Sequence, residues 1–160
     1  MTARLHPLIV KTLAWQTEAD TAASAQAMAQ HPAIANAMVE LQGDLGAGKT
    51  TFVRHLLHAL GVTGRVKSPT YAVVEPYSLA DAGLDIWHFD FYRFNDPDEW
   101  EEAGFRDIFA SPGLKLVEWP GNAGPHLPQP DLGLSIALRG DESRAVTLSA
   151  FTTTGCSLLA

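Results

Sequence analysis

Apolar and polar positions along this chain fall into blocks whose period changes from place to place, and each block predicts an element. Leu8 to Leu13 is apolar enough for a first strand. Thr17 then offers a helix cap, and Asp20, three residues later, completes an approximate capping box. The alanine-rich run that follows, to about Gln30, reads as that helix, and His31-Pro32-Ala33 breaks it. Asn36 to Gln42 reads as a strand running into a glycine-rich loop. Behind the loop, Phe52, Val53, Leu56, Leu57 and Leu60 have the spacing of a buried helical stripe, and Gly61 stands where a C-terminal cap belongs.

After this helix the period becomes two. TYAVVEPYSL and DIWHFDFYRF read as strands separated by the turn ADAGL, with Pro76 placing the first near an edge or a bulge. DPDEWEEAGFRDIF opens on an Asp96 cap with Pro97 in the first turn, which predicts a helix. Leu114 to Trp119 reads as a buried strand, followed by the Pro- and Gly-rich loop PGNAGPHLPQP. LGLSIALRG and RAVTLSAF are expected to pair as a hairpin across Gly140-Asp141. A strand–loop–helix crossover needs parallel strands and the hairpins need antiparallel ones, so the expected fold is a three-layer α/β domain with a mixed sheet. Residues 1–150 are read as that one domain, and residues 151–160 as a disordered tail.

Composition narrows the field. The 160 residues are 46% apolar and 18% charged, ordinary for a globular protein. The net charge of −7 disfavours autonomous binding to nucleic acid. Lys49, Arg54, Arg65, Lys67, Arg93 and Arg106, in the middle third, hold more than half of the 11 positive charges, which leaves room for a local basic patch. The one cysteine, Cys156, allows no internal disulfide and no cysteine zinc site, and is expected to be a bystander in the tail. No apolar run has the length of a membrane span. MTARLHPLIVKTLAW carries no secretory signal pattern, so the expected location is cytoplasmic, with no membrane partner.

The strongest chemical signal is LQGDLGAGKTTFVRHLL, in which Gly43 is followed after four residues by Gly48-Lys49-Thr50. Glycines let the backbone curl so that its N–H groups meet phosphate oxygens, and the following helix presents its positive end to the same anion. In that motif the lysine reaches the β- and γ-phosphates and the hydroxyl residue coordinates Mg²⁺. The motif follows a predicted strand and precedes a predicted helix, the context it requires, and the fold is therefore expected to be P-loop NTPase-like. A magnesium nucleotide site also needs an acid at a neighbouring strand end. Asp90 sits on the polar side of IWHFDFYR, and Glu118 closes the apolar run LKLVE, the place of a Walker B acid. Either acid alone reads equally well as an exposed strand-end charge. Thr70, in KSPTYAVVEPY, either contacts the γ-phosphate or the metal's water as switch-loop threonines do, or merely follows a turn at Ser68-Pro69. His88 reads as a hydrogen-bonding side chain rather than a catalyst. Trp119 either packs beside the nucleotide or covers the strand end.

Taken in order, GDLGAGKTTF, VKSPTYAVVEPY, HFDFYR, DPDEWEEAGFRDIF and LVEWP resemble the TsaE family over about Thr17 to Leu134. The resemblance implies a small bacterial ATPase that binds ATP with Mg²⁺ and hydrolyses it slowly alone. It implies partners: a TsaD-like subunit that transfers threonylcarbamoyl to tRNA and its inactive TsaB-like paralogue, with tRNA approached indirectly through that complex. It implies an ATP cradle of Gly43, Asp44, Leu45, Gly46, Ala47, Gly48, Lys49, Thr50 and Thr51, with Trp119 near the site. It further implies metal-side roles for Thr50, Glu118 and Asp90, catalytic roles for Lys49, Asp90 and Glu118, and a switch-like Thr70. Thr17 and Glu18 fall where the family approaches the adenine. The alternatives differ in their needs. A small-molecule kinase would want an arginine-rich lid, whereas only Arg139 and Arg144 follow Glu118, both in the predicted hairpin. A GTP switch would want an Asn-Lys-x-Asp tetrapeptide, which does not occur. A module that uses nucleotide only for structure would not need both Asp90 and Glu118.

Overall fold

A computed structural model of the chain describes residues 6–69, 72–96, 99 and 104–160. Seven strands, β1 (Ile9–Trp15), β2 (Met38–Gln42), β3 (Val74–Leu79), β4 (Leu84–Asp90), β5 (Leu114–Glu118), β6 (Leu132–Leu138) and β7 (Arg144–Ala150), form one sheet. Their order across it is β1-β7-β6-β2-β5-β4-β3. The four central strands, β6, β2, β5 and β4, run parallel, while β3 at one edge and β7 and β1 at the other run antiparallel to their neighbours. The mixed sheet expected from the crossover and the hairpins is the one found, and Pro76 lies in the edge strand β3, where its missing N–H costs no ladder bond.

The helices α1 (Glu18–Ala29) and α2 (Lys49–Leu60) pack together on one face of the sheet. Asp20 accepts bonds from the backbone N–H groups of Gln16 (2.8 Å) and Thr17 (3.3 Å), the return half of the capping box. Phe52, Val53, Leu56 and Leu57 of α2 are wholly buried, and burying side chains of this size stabilises by roughly 1.5–3 kcal/mol each. Trp15 stacks on Phe52 with ring centroids 5.6 Å apart. The opposite face carries a smaller aromatic cluster of Phe89, Phe91, Phe94 and Phe105, beneath the short helix α3 (Phe105–Ala110).

Several boundaries differ from the sequence expectation, and β3, expected to start at Thr70, begins at Val74. The fourth strand stops at Asp90 instead of continuing to Phe94, because the Asp90 carboxylate accepts the N–H of Tyr92 at 2.9 Å and turns the chain. Within the helix expected over 96–109, Glu99 is helical and its N–H donates to the Asp96 carbonyl oxygen at 3.0 Å, while 97, 98 and 100–103 lie outside the described residues; Gly104, in the left-handed region at φ 74°, then precedes a helix over Phe105–Ala110. Asn36 belongs to a 3₁₀ turn, Pro32–Asn36, rather than to β2.

The tail differs as well. Residues 153–158 form a helix, α4 (Thr153–Leu158), capped by the Thr152 hydroxyl, which accepts the Gly155 N–H at 3.1 Å. Leu158 is buried in the main core and Cys156 packs against it, so the thiol is part of a docked helix and not of a loose end. Asp131 ties this helix down: its carboxylate accepts the Thr152 hydroxyl (2.7 Å) and the Met38 N–H (2.7 Å).

Candidate nucleotide site

The loop between β2 and α2 turns through three left-handed glycines, Gly43, Gly46 and Gly48. Gly43 is forced by proximity as well as by backbone angle, since a Cβ there would lie 2.5 Å from the carbonyl oxygen of Ile136 in β6. The loop delivers Lys49 and Thr50 to the first turn of α2, at the helix end that attracts anions.

Register brings the acids to this loop. Asp90 pairs with Glu118 as the last residues of β4 and β5, and Leu41 of β2 pairs with Glu118 on its other side. Both carboxylates therefore emerge at the carboxyl ends of parallel strands, next to the strand that feeds the loop. The Thr50 hydroxyl donates to both oxygens of Glu118, at 3.0 and 3.1 Å. Behind Glu118, His88 is completely buried and its Nε2 lies 2.6 Å from Glu118 Oε2. A carboxylate can only accept, so the imidazole carries its proton on Nε2; Nδ1 has no hydrogen-bond partner among the described residues. Thr50, Glu118 and His88 thus form one continuous chain. Asp90 is held by Ser68, whose hydroxyl donates to Oδ2 at 2.5 Å.

Lys49 is nearly buried. Its ammonium donates to the carbonyl oxygens of Gly43 and Asp44, and lies 4.2 Å from the centroid of the Trp119 ring. Burial pushes its pKa below the ordinary lysine value, while Glu118, Asp90 and Asp44 pull it back up. Trp119 stands at φ 56°, an uncommon backbone for a bulky residue, and this turn lays the indole over Lys49 and beside Tyr92.

These groups surround a cavity of about 350 Å³ lined by Leu45, Gly46, Gly48, Lys49, Thr50, Thr51, Ser68, Asp90, Tyr92, Glu118, Trp119 and Arg144. Gly43, Asp44 and Ala47 shape the loop behind it. Thr17 and Glu18 are not among its lining residues: they open α1, where Glu18 meets His55 of α2 at 3.0 Å and Arg54 at 3.8 Å. Thr70 lies outside the described residues. Three lining residues, Ser68, Tyr92 and Arg144, were missed as candidates. Ser68 was readable only as part of a turn, and Arg144 gives no local signal because sheet order alone brings β7 to the loop.

The oxygen donors Thr50, Glu118 and Asp90 suit Mg²⁺, which keeps water and substrate phosphate in its shell and does not need an all-protein cage. Among the described residues, no group of three or more His, Cys, Asp and Glu could hold a metal by itself.

A parallel strand leading through a glycine loop into a helix, with acids on the adjoining strand ends, defines a P-loop NTPase-like α/β protein. The sequence model of the family described as Threonylcarbamoyl adenosine biosynthesis protein TsaE matches residues 15–146. The tRNA threonylcarbamoyladenosine biosynthesis protein TsaE of Haemophilus influenzae is 44% identical over 122 residues, covering 76% of this chain and 75% of that one. Its Bacillus subtilis namesake is 40% identical over 113 residues, covering 71% and 69%. The crystal structure of Bacillus subtilis YdiB superposes with a TM-score of 0.74 at 32% identity, covering 94% of this chain and 93% of that one. This chain belongs to the TsaE family, whose members carry the name of tRNA threonylcarbamoyladenosine biosynthesis. The family match runs beyond Leu134, where the resemblance read from the sequence ends, and takes in the start of β7.

Proposed function

We propose that this protein is a Mg²⁺-dependent ATPase whose hydrolysis cycle drives turnover of a threonylcarbamoyl transfer complex acting on tRNA. The observation that carries the reading is the meeting of Lys49, Thr50, Glu118 and Asp90 around one cavity at the end of the glycine loop. Three of them come from different elements, and no packing requirement explains three charged side chains, each at most 5% exposed, in one place.

The loop N–H groups and the α2 N-terminus bind the phosphate chain. Lys49 exchanges the carbonyls of Gly43 and Asp44 for β- and γ-phosphate oxygens, whose negative charge favours its ammonium form. Thr50, Glu118 and Asp90 would hold Mg²⁺, which would supply positive charge beside the phosphate oxygens. Asp90 and Ser68 face the same space from the β4 side. Trp119 keeps water from the ammonium. The partners in this reading are a TsaD-like transferase subunit and a TsaB-like paralogue, and tRNA is reached through them.

The test is ATP hydrolysis by the protein alone and with both partner subunits plus tRNA. Slow basal turnover that rises with the partners is expected, and Lys49→Ala should remove nearly all turnover with circular dichroism and melting unchanged. Wild-type-like turnover in that variant overturns the site assignment. Phosphate transferred to an added metabolite would make the protein a small-molecule kinase instead.

A further inference from the structure

We propose that Arg144 is a second cationic contact to the nucleotide's phosphate chain, delivered by the C-terminal hairpin; this rests on the ATP reading above. Arg144 is the first residue of β7. Its Nε–H donates to the carbonyl oxygen of Ala47 at 2.7 Å, which pins the guanidinium against the last turn of the phosphate loop. A guanidinium has five N–H donors, and this bond uses one. Its terminal nitrogens make no hydrogen bond or ion pair with any described residue. Arg144 lines the same cavity as Gly48 and Lys49.

The fit with the loop is close. A Cβ on Gly48 would lie 3.1 Å from Arg144 Nε and 3.9 Å from Cζ, so the guanidinium occupies space that exists because residue 48 has no side chain. The charge arrangement is equally specific. Lys49 lies on the side of β5 and β4, where Glu118 and Asp90 oppose it. Arg144 enters from the other side, through β7 and β6, with no carboxylate bonded to it. A cation fixed at one nitrogen, with its remaining donors in a cavity at a helix N-terminus, suits a polyanion lying across the loop. A phosphate chain seated there has one cation on each flank.

The experiment measures the affinity of Mg·ADP and Mg·ATP by calorimetry for the wild type, Arg144→Ala, Arg144→Lys and Arg144→Gln, at low and high salt. Arg144→Ala and Arg144→Gln should bind about tenfold more weakly at low salt, as expected for a lost charged hydrogen bond. Salt screens a charge contact, so the gap to the wild type should narrow as salt is raised. Arg144→Lys, which keeps the charge without the Nε bond, should lie between. Melting without nucleotide reports folding, and the Lys and Gln variants carry the test if the Ala variant unfolds. Unchanged affinity in the variants overturns the proposal. So does a loss that salt does not alter, because Arg144 would then only shape the loop through Ala47. A wild type that binds neither nucleotide overturns the ATP reading itself, an outcome distinct from variants that match a binding-competent wild type.

Discussion

His88 shows how much of this site depends on a side chain that never reaches the cavity. It is wholly buried, one nitrogen is spent on Glu118, and the other has no hydrogen-bond partner among the described residues. An orphaned buried acceptor costs roughly 1–3 kcal/mol, so the imidazole is there for what Nε2 does. It holds the Glu118 carboxylate at the angle that meets Thr50. His88→Leu keeps much of the volume and removes the donor. The expected outcome is a several-fold higher Mg²⁺ requirement for tight nucleotide binding, with magnesium-free nucleotide affinity unchanged. A titration of bound fluorescent nucleotide with Mg²⁺ checks it, and His88→Gln, which restores an N–H, should recover part of the loss. Equal loss with and without Mg²⁺ would mean that His88 serves only the fold.

Among the elements, the glycine loop, α2 and the alternating strands were legible in the sequence, because each is specified by neighbours within a few residues. The stripe from Phe52 to Leu57 and the phosphate motif are local codes for one helix and one turn. The end of β4 was not legible: an Asp that turns the chain by accepting Tyr92's N–H looks, in sequence, like one more residue of an alternating strand. The helix α4 was missed for a related reason. Its TTGCSL sequence has weak helix propensity, and it is held by contacts to Asp131 and the core rather than by its own pattern. Gly155 tests this. A Cβ there would meet the Asp131 carbonyl oxygen at 1.9 Å, inside any real contact. Gly155→Ala should therefore destabilise by about 1–3 kcal/mol, the usual cost of overpacking, read as a lower urea midpoint. An unchanged midpoint would show that the helix is not docked as described.

For the molecule as a whole, charge and surface set the kind of partner. No helix among the described residues is long and apolar enough to cross a membrane. The net charge of −7 opposes an independent hold on a polyanion such as tRNA. Of the basic residues of the middle third, Arg54 is engaged with Glu18, and Arg65 and Lys67 border a cavity of about 410 Å³ that shares Ser68 with the nucleotide site. The purified protein should show no tight tRNA binding at physiological salt in a filter or gel-shift assay, and tRNA should be retained only when the partner subunits are present. Tight binding by the protein alone would overturn this view of its charge.

The phosphate loop, the helix behind it, the mixed α/β class and the two candidate acids were readable from residue order, because each is written in short-range spacing. The folded chain alone shows which acid meets Thr50, that His88 stands behind Glu118, and that Arg144 reaches the loop at Ala47, 97 residues before it in the chain. Those facts depend on strand order and register. Strand order and register are fixed by how the whole sheet buries its two faces, and no local stretch of residues encodes them.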